Sequence, residues 1–383
     1  MTVVAALHPL SGLAHGLYVG AVFFYKALWS ILLGVSVTAA IDVFVDKEAM
    51  ARVLGRRDLA TTGKATALGA ASSACTFGAV TIANTLFKKG ASAESTFSFA
   101  LASTNIVFEL GILIYVLLGW QYLAAELLSG VLLVVIVYAV ARLTLPTEVF
   151  DDARRHLQEQ DGEIGEAAAP GATPVAVPEP RTSLRDQLRQ PDVRYRIATR
   201  YFKTVGRIYK TVIFGFLIAG FIVALVPNTV WTTLFLPPTT FPGALENAAV
   251  GVAAGVLSFI GSIGIVPFAA ALWLGGASFG AGVGIIVSDL ITVPVLNLWR
   301  KFMGWRATAY IFGVFFLAMV VSALAMEELF KALGALPVRT AVTGRLLHVS
   351  LSANYTLILT VAFVAITLWL YVVRRHGDRR ELA

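Results

Sequence analysis

The chain has 383 residues, of which 57% are hydrophobic and only 14% charged, against about 25% charged in soluble domains. With a mean hydropathy of +0.78, that balance excludes an ordinary soluble globular domain. The net charge of +7 fits basic loops flanking membrane spans better than nucleic-acid binding.

Residues 1–20 are moderately apolar but broken by Pro9 and several glycines, and read as an interfacial helix or short lead-in. The first firm span is 22–45. A charged amphipathic connector follows, with Lys47, Arg52, Arg56, Arg57 and Lys64. Residues 65–87 are small-residue-rich and hold the single cysteine, Cys75. One cysteine excludes an internal disulfide and a multi-cysteine zinc site. After Lys88, Lys89 and Gly90 comes an apolar segment over 97–118, interrupted at Ser103, Thr104 and Asn105. Residues 122–140 read as a plain span. Residues 148–166 are acidic, 167–180 are Ala/Pro-rich and extended, and 181–210 are basic, as expected near anionic headgroups. The second half opens with a span at 212–226 and an uncharged loop to 242. Residues 248–274 are again small-residue-rich. Spans at 307–326 and 357–373 and a basic tail complete the chain.

The two halves correspond. Gly90-Ala91-Ser92 matches Gly276-Ala277-Ser278, Ser103-Thr104 matches Ser288-Asp289, and Gly119-Trp120 matches Gly304-Trp305, at an offset of 185–186 throughout. Cys75 then falls opposite Gly261 and Thr76 opposite Ser262. If 65–87 and 248–274 dip into the bilayer and return, the basic connectors and tail fall on one side, leaving only Lys331, Arg339 and Arg345 misplaced. The halves then have opposite orientation, as in transporters built from inverted repeats with broken helices. The sequence therefore predicts an all-α polytopic membrane protein. It would have two inverted repeats, each with a re-entrant or broken-helix hairpin, and about 8–10 membrane segments. The expected division is 1–145 as the first repeat, 146–204 as a partly disordered cytoplasmic linker, 205–330 as the second repeat, and 331–383 as an extra span and tail.

The stretch SSACTFGAVTIANTLFKKGAS followed by FALAST, with LSFIGSIGIVPFAAALWLGGAS in the second half, resembles the predicted-permease family that includes YraQ-type proteins and ArsP organoarsenical efflux permeases. The resemblance covers roughly 25–145 and 205–330. It implies a permease in which efflux is the favoured direction. Family members carry a Cys-Ser-Cys core where this chain has the lone Cys75. One thiolate cannot supply a three-thiolate arsenic site, so the family's substrate does not transfer with it.

Cys75 is a candidate soft-metal or metalloid ligand, or a small buried hydrophobe. The candidate substrate site comprises Cys75, Ser73, Thr76, Thr104, Asn105, Ser262 and Ser288. Their alternative role is helix–helix hydrogen bonding. Asp289 and Glu109 are the candidate proton-coupling acids, because ionisable groups at membrane depth are expensive. The five histidines lie outside the firm spans. There is no HExxH, GxSxG or GxxxxGK[ST] pattern, so neither enzyme chemistry nor direct ATP coupling is expected, and no cofactor is called for. The expected function is a secondary transporter in the inner cell membrane exporting a small solute such as a metalloid or metal species. The alternatives are a passive channel or a non-transporting membrane subunit. The expected partners are the small-molecule or ion substrate, the bilayer and a second copy of the chain, with no nucleic acid.

Overall fold

The computed structural model describes residues 9–44, 54–72, 76–164, 190–225, 230, 235, 240–258, 262–338 and 355–381. Among them there is no strand, and the chain is an all-α polytopic membrane protein. Ser73, Cys75 and Gly261 lie outside the described residues.

Helix α1 runs unbroken over Pro9–Phe44, so residues 9–20 are part of it and not a separate lead-in. The glycines that read as breaks instead form a seam. A Cβ on Gly20 would stand 2.9 Å from the Phe216 carbonyl oxygen, and one on Gly12 3.0 Å from Leu225. With Gly16 between them set against Phe221, these glycines recur every four residues and bring α1 against α8 (Pro191–Leu225), the close approach that small residues permit in lipid.

Next come α2 (Leu59–Ser72) and α3 (Thr76–Lys88). At 1.5 Å per residue each is about 20 Å long, short of a bilayer core of about 30 Å. Asp58 starts α2 by accepting the Thr61 N–H at 2.7 Å. Helices α4 (Ala93–Asn105) and α5 (Phe108–Leu117) form a broken span with a 41° bend. The span α6 (Trp120–Thr144) follows, then α7 (Thr147–Ile164). In the second half, α9 (Phe241–Leu257) and α10 (Ser262–Gly275) are again short. Helix α11 (Phe279–Val287) passes through a 3-10 turn (Ser288–Ile291) into α12 (Val293–Ala332), which is kinked at Gly304. Helix α13 (Tyr355–Glu381) packs against α1 and α8.

By length and composition, Trp120–Thr144, the run Phe279–Ala332 and Leu357–Gly377 can cross a membrane, with the bent α4/α5 pair as a fourth. Among the described residues Val212–Ile222, Phe241–Leu257 and Ser262–Gly275 are shorter apolar helices.

Local geometry recurs between the halves. The turn closing α3 has Gly90 at φ 104° and Ala91 N–H donating to Leu86 O at 3.0 Å; the turn closing α10 has Gly276 at φ 128° and Ala277 N–H donating to Leu272 O at 3.0 Å. Ser92 caps α4 and Ser278 caps α11 through their hydroxyls, the usual use of serine before a helix. Helix α2 packs on α4 as α9 packs on α11. Gly119 before α6 (φ 98°, ψ −179°) and Gly304 within α12 (φ 78°, ψ 171°) share a backbone conformation close to glycine-only. Gly119→Ala and Gly304→Ala are each expected to cost about 1–3 kcal/mol, read as earlier thermal unfolding in detergent.

The region 146–204, expected as a linker, is helical over 147–164 and 191–204. Helix α7 buries Phe150, Ala153 and Leu157, with the spacing of an amphipathic helix, against α3 and α12. Phe150 meets Phe97 edge-on at 5.6 Å, and Arg154 donates to Ala91 O at 2.8 Å. An acidic composition concealed that apolar face.

Candidate functional site

The two short helices α3 and α10 begin at Thr76 and Ser262. The first N–H groups of a helix have no partner within it, and its N-terminus carries partial positive charge. Both N-termini meet at one carboxylate. Thr76 Oγ1 donates to Asp289 Oδ2 at 2.8 Å and Ser262 Oγ donates to the same oxygen at 2.6 Å. The two hydroxyls also touch each other across 186 residues of sequence. They are the pair that the expected repeat sets opposite each other.

Asp289 is 1% exposed and lies in the 3-10 turn where α11 gives way to α12. That break in the helix turns the carboxylate toward α3 and α4, which pack against the turn. Oδ1 has no bonded partner, and the Thr104 hydroxyl lies close by. Thr104 and Asn105 end α4, at the 41° bend. Asn105 Nδ2 donates to Leu101 O and to Thr104 Oγ1, both at 3.0 Å, while its Oδ1 is buried without a partner.

Of the residues singled out in the sequence, the junction therefore unites Thr76, Ser262, Asp289, Thr104 and Asn105. Two others stand apart. Ser288 turns its hydroxyl to Ile285 O at 2.7 Å and is wedged against Gly255, whose Cβ position it fills. Glu109 is partly exposed in the first turn of α5. Ser73 and Cys75 fall in the undescribed residues that precede Thr76.

Sequence reasoning passed over Glu126. It lies in α6, 2% exposed, with neither carboxylate oxygen bonded. The Asp289 carboxylate acts on it electrostatically. One turn along, a Cβ on Gly130 would stand 3.3 Å from Asn105 Cβ, so this face of α6 packs onto the α4 break. The available signal was a lone acid in an otherwise uncharged run, and a buried intramembrane acid is a functional candidate by default.

Among the described residues no cluster of three or more His, Cys, Asp or Glu side chains could hold a metal ion. The junction instead offers hydroxyls, an amide oxygen and two carboxylates inside the protein. Such a place can bind a small polar solute or exchange a cation.

A family model described as "Predicted permease" (ArsP_1) matches residues 15–328. The Mycobacterium tuberculosis (strain ATCC 25618 / H37Rv) protein named "Putative permease Rv2963" is 35% identical over 308 residues, covering 80% of this chain and 75% of that protein. No solved structure matches the chain. The match over most of its length, from α1 into α12, means that the chain belongs to the predicted-permease family.

Proposed function

We propose that the protein is a secondary transporter that exports a small solute across the inner cell membrane, coupled to protons. The observation that carries this reading is the Thr76–Ser262–Asp289 junction, where matched helix starts from the two halves converge on a buried acid. In this reading residues 1–145 and 205–330 are repeats of opposite orientation, and α2/α3 and α9/α10 are hairpins that enter the membrane and return. Residues 146–204 connect the repeats on the cytoplasmic side, and 331–383 add a further span. Recurrent caps and glycine turns support the repeat. Broken helices that point their N-termini at a midplane site are an established transporter device. Rocking of one half against the other would expose the junction to each side in turn.

The solute binds near Thr76, Thr104, Asn105 and Ser262, with Ser73 and Cys75 as the candidates next to Thr76 in sequence and Cys75 the one soft ligand among them. Trivalent metalloids and metal species are the first class to test. The experiment is flux in proteoliposomes with trivalent metalloids, divalent metals and small anions, for wild type and Cys75→Ala. Selective loss of one activity in Cys75→Ala would assign substrate and ligand together, and equal rates would reduce Cys75 to packing. Flux insensitive to an imposed pH gradient would favour a passive channel. No flux for any solute would sink the transporter reading.

A further inference from the structure

The junction holds two buried acids, and they are not equivalent. Asp289 accepts two hydroxyl bonds on Oδ2 and faces the N-termini of α3 and α10. Hydrogen-bond donors and helix N-termini both favour a negative charge. Glu126 receives no donor on either oxygen. An ionised carboxylate buried without partners is costly, and buried charges are neutralised, paired or metal-bound.

We propose that Glu126, and not Glu109, carries the coupled proton, while Asp289 remains the fixed anion of the junction. The inference rests on the reading that transport is coupled to protons. Asp289 acts on Glu126 electrostatically, and two like charges enclosed in one protein interior favour a proton on one of the two carboxylates. The donor geometry decides which of them takes it. Ser129, three residues on in α6, is fully buried with its hydroxyl unpartnered, so it supplies no donor to Glu126 either.

The other charged groups on the helices packed against α6 are engaged elsewhere or exposed. Glu94 on α4 answers Arg57 at 4.0 Å, and Glu109 on α5 is partly exposed. Helix α11 carries no charged residue. On α12, Arg300, Lys301 and Arg306 are exposed, Glu327 receives the Gly280 N–H, and Glu328 meets Lys331 at 3.5 Å. Asp289 is the charge that acts on Glu126.

The step is a proton transfer only. With the junction open to one side, a hydronium ion gives a proton to a Glu126 oxygen: one of its O–H bonds breaks, the acid O–H bond forms, and water is left. The neutral acid then survives the change of access. Opening to the other side breaks that bond and returns the proton to water, and no other reactant is consumed.

The test needs no knowledge of the solute, because the proton is the probe. Infrared difference spectra between acidic and basic pH are recorded on the full chain in liposomes, for wild type, Glu126→Gln, Glu126→Asp and Asp289→Asn. Each sample is first checked for monodisperse elution. A titrating C=O stretch of a buried carboxylic acid is expected in wild type. It should be lost in Glu126→Gln, displaced but present in Glu126→Asp, and retained in Asp289→Asn. A band that persists in Glu126→Gln and vanishes in Asp289→Asn overturns the assignment and leaves proton coupling standing. Absence of any titrating acid in wild type overturns both.

Discussion

Asp289→Asn is expected to reduce solute flux by about 100-fold or more while leaving the protein folded. The carboxylate accepts hydroxyl bonds from Thr76 and Ser262, and a bond to a charged group contributes roughly 1.5–3 kcal/mol. Two such bonds amount to about 3 kcal/mol or more, and each 1.4 kcal/mol is about tenfold. An amide keeps the shape but removes the charge that draws two helix N-termini together. The single-donor variants Thr76→Val and Ser262→Ala remove one bond each and are expected to lose roughly tenfold. Flux and solute exchange in proteoliposomes read all three, with elution profiles to show that each folds. If Asp289→Asn stays within about threefold of wild type, transport does not pass through this junction.

The second large effect is on assembly. Gly69 in α2 lies so close to α4 that a Cβ there would overlap the Phe99 carbonyl oxygen and stand 3.1 Å from Phe99 Cα. Gly251 in α9 lies likewise against α11, its Cβ position overlapping the Ala281 carbonyl oxygen and 2.7 Å from Ala281 Cα. Backbone atoms cannot swing aside as a side-chain tip can, so each helix pair must separate. Gly69→Ala and Gly251→Ala are therefore expected to cost about 1–3 kcal/mol each, seen as a lower midpoint of thermal unfolding and poorer recovery from the membrane. Gly63, on the same helix as Gly69, has open space around it. Gly63→Ala should be neutral or slightly stabilising, because alanine is the better helix former by up to about 1 kcal/mol. Equal behaviour of Gly63→Ala and Gly69→Ala would show that α2 does not dock on α4 as described.

The second case also shows what a linear reading misses. Glycines at 12, 16 and 20 look like punctuation in isolation, and they are the contact surface between α1 and α8. Whether a glycine breaks a helix or seats another one depends on whether a partner arrives, and that partner is about 200 residues away. Helix α7 shows the converse. Its charge suggested a solvated linker, yet Phe150, Ala153 and Leu157 fall on one face and are covered.

The sequence by itself determined the class of the molecule, because a charge deficit and long apolar runs admit few other solutions. It also led to an expected register between two halves, because caps and turns are local chemistry: serine before a helix and glycine where φ is positive. That register named Thr76 and Ser262 as counterparts and put Asp289 opposite Thr104. Only the tertiary structure decided that Thr76 and Ser262 touch, that both serve one carboxylate oxygen, and that Ser288, beside Asp289 in the chain, faces α9 instead. Glu109 and Glu126 were each a single acid in an apolar segment. They differ in which helix face meets neighbours, so one is partly exposed and the other enclosed. Local patterns encode backbone conformation and amphipathic period. Burial, donor geometry and the proximity of two charges belong to the packing of distant segments, and no periodicity records them.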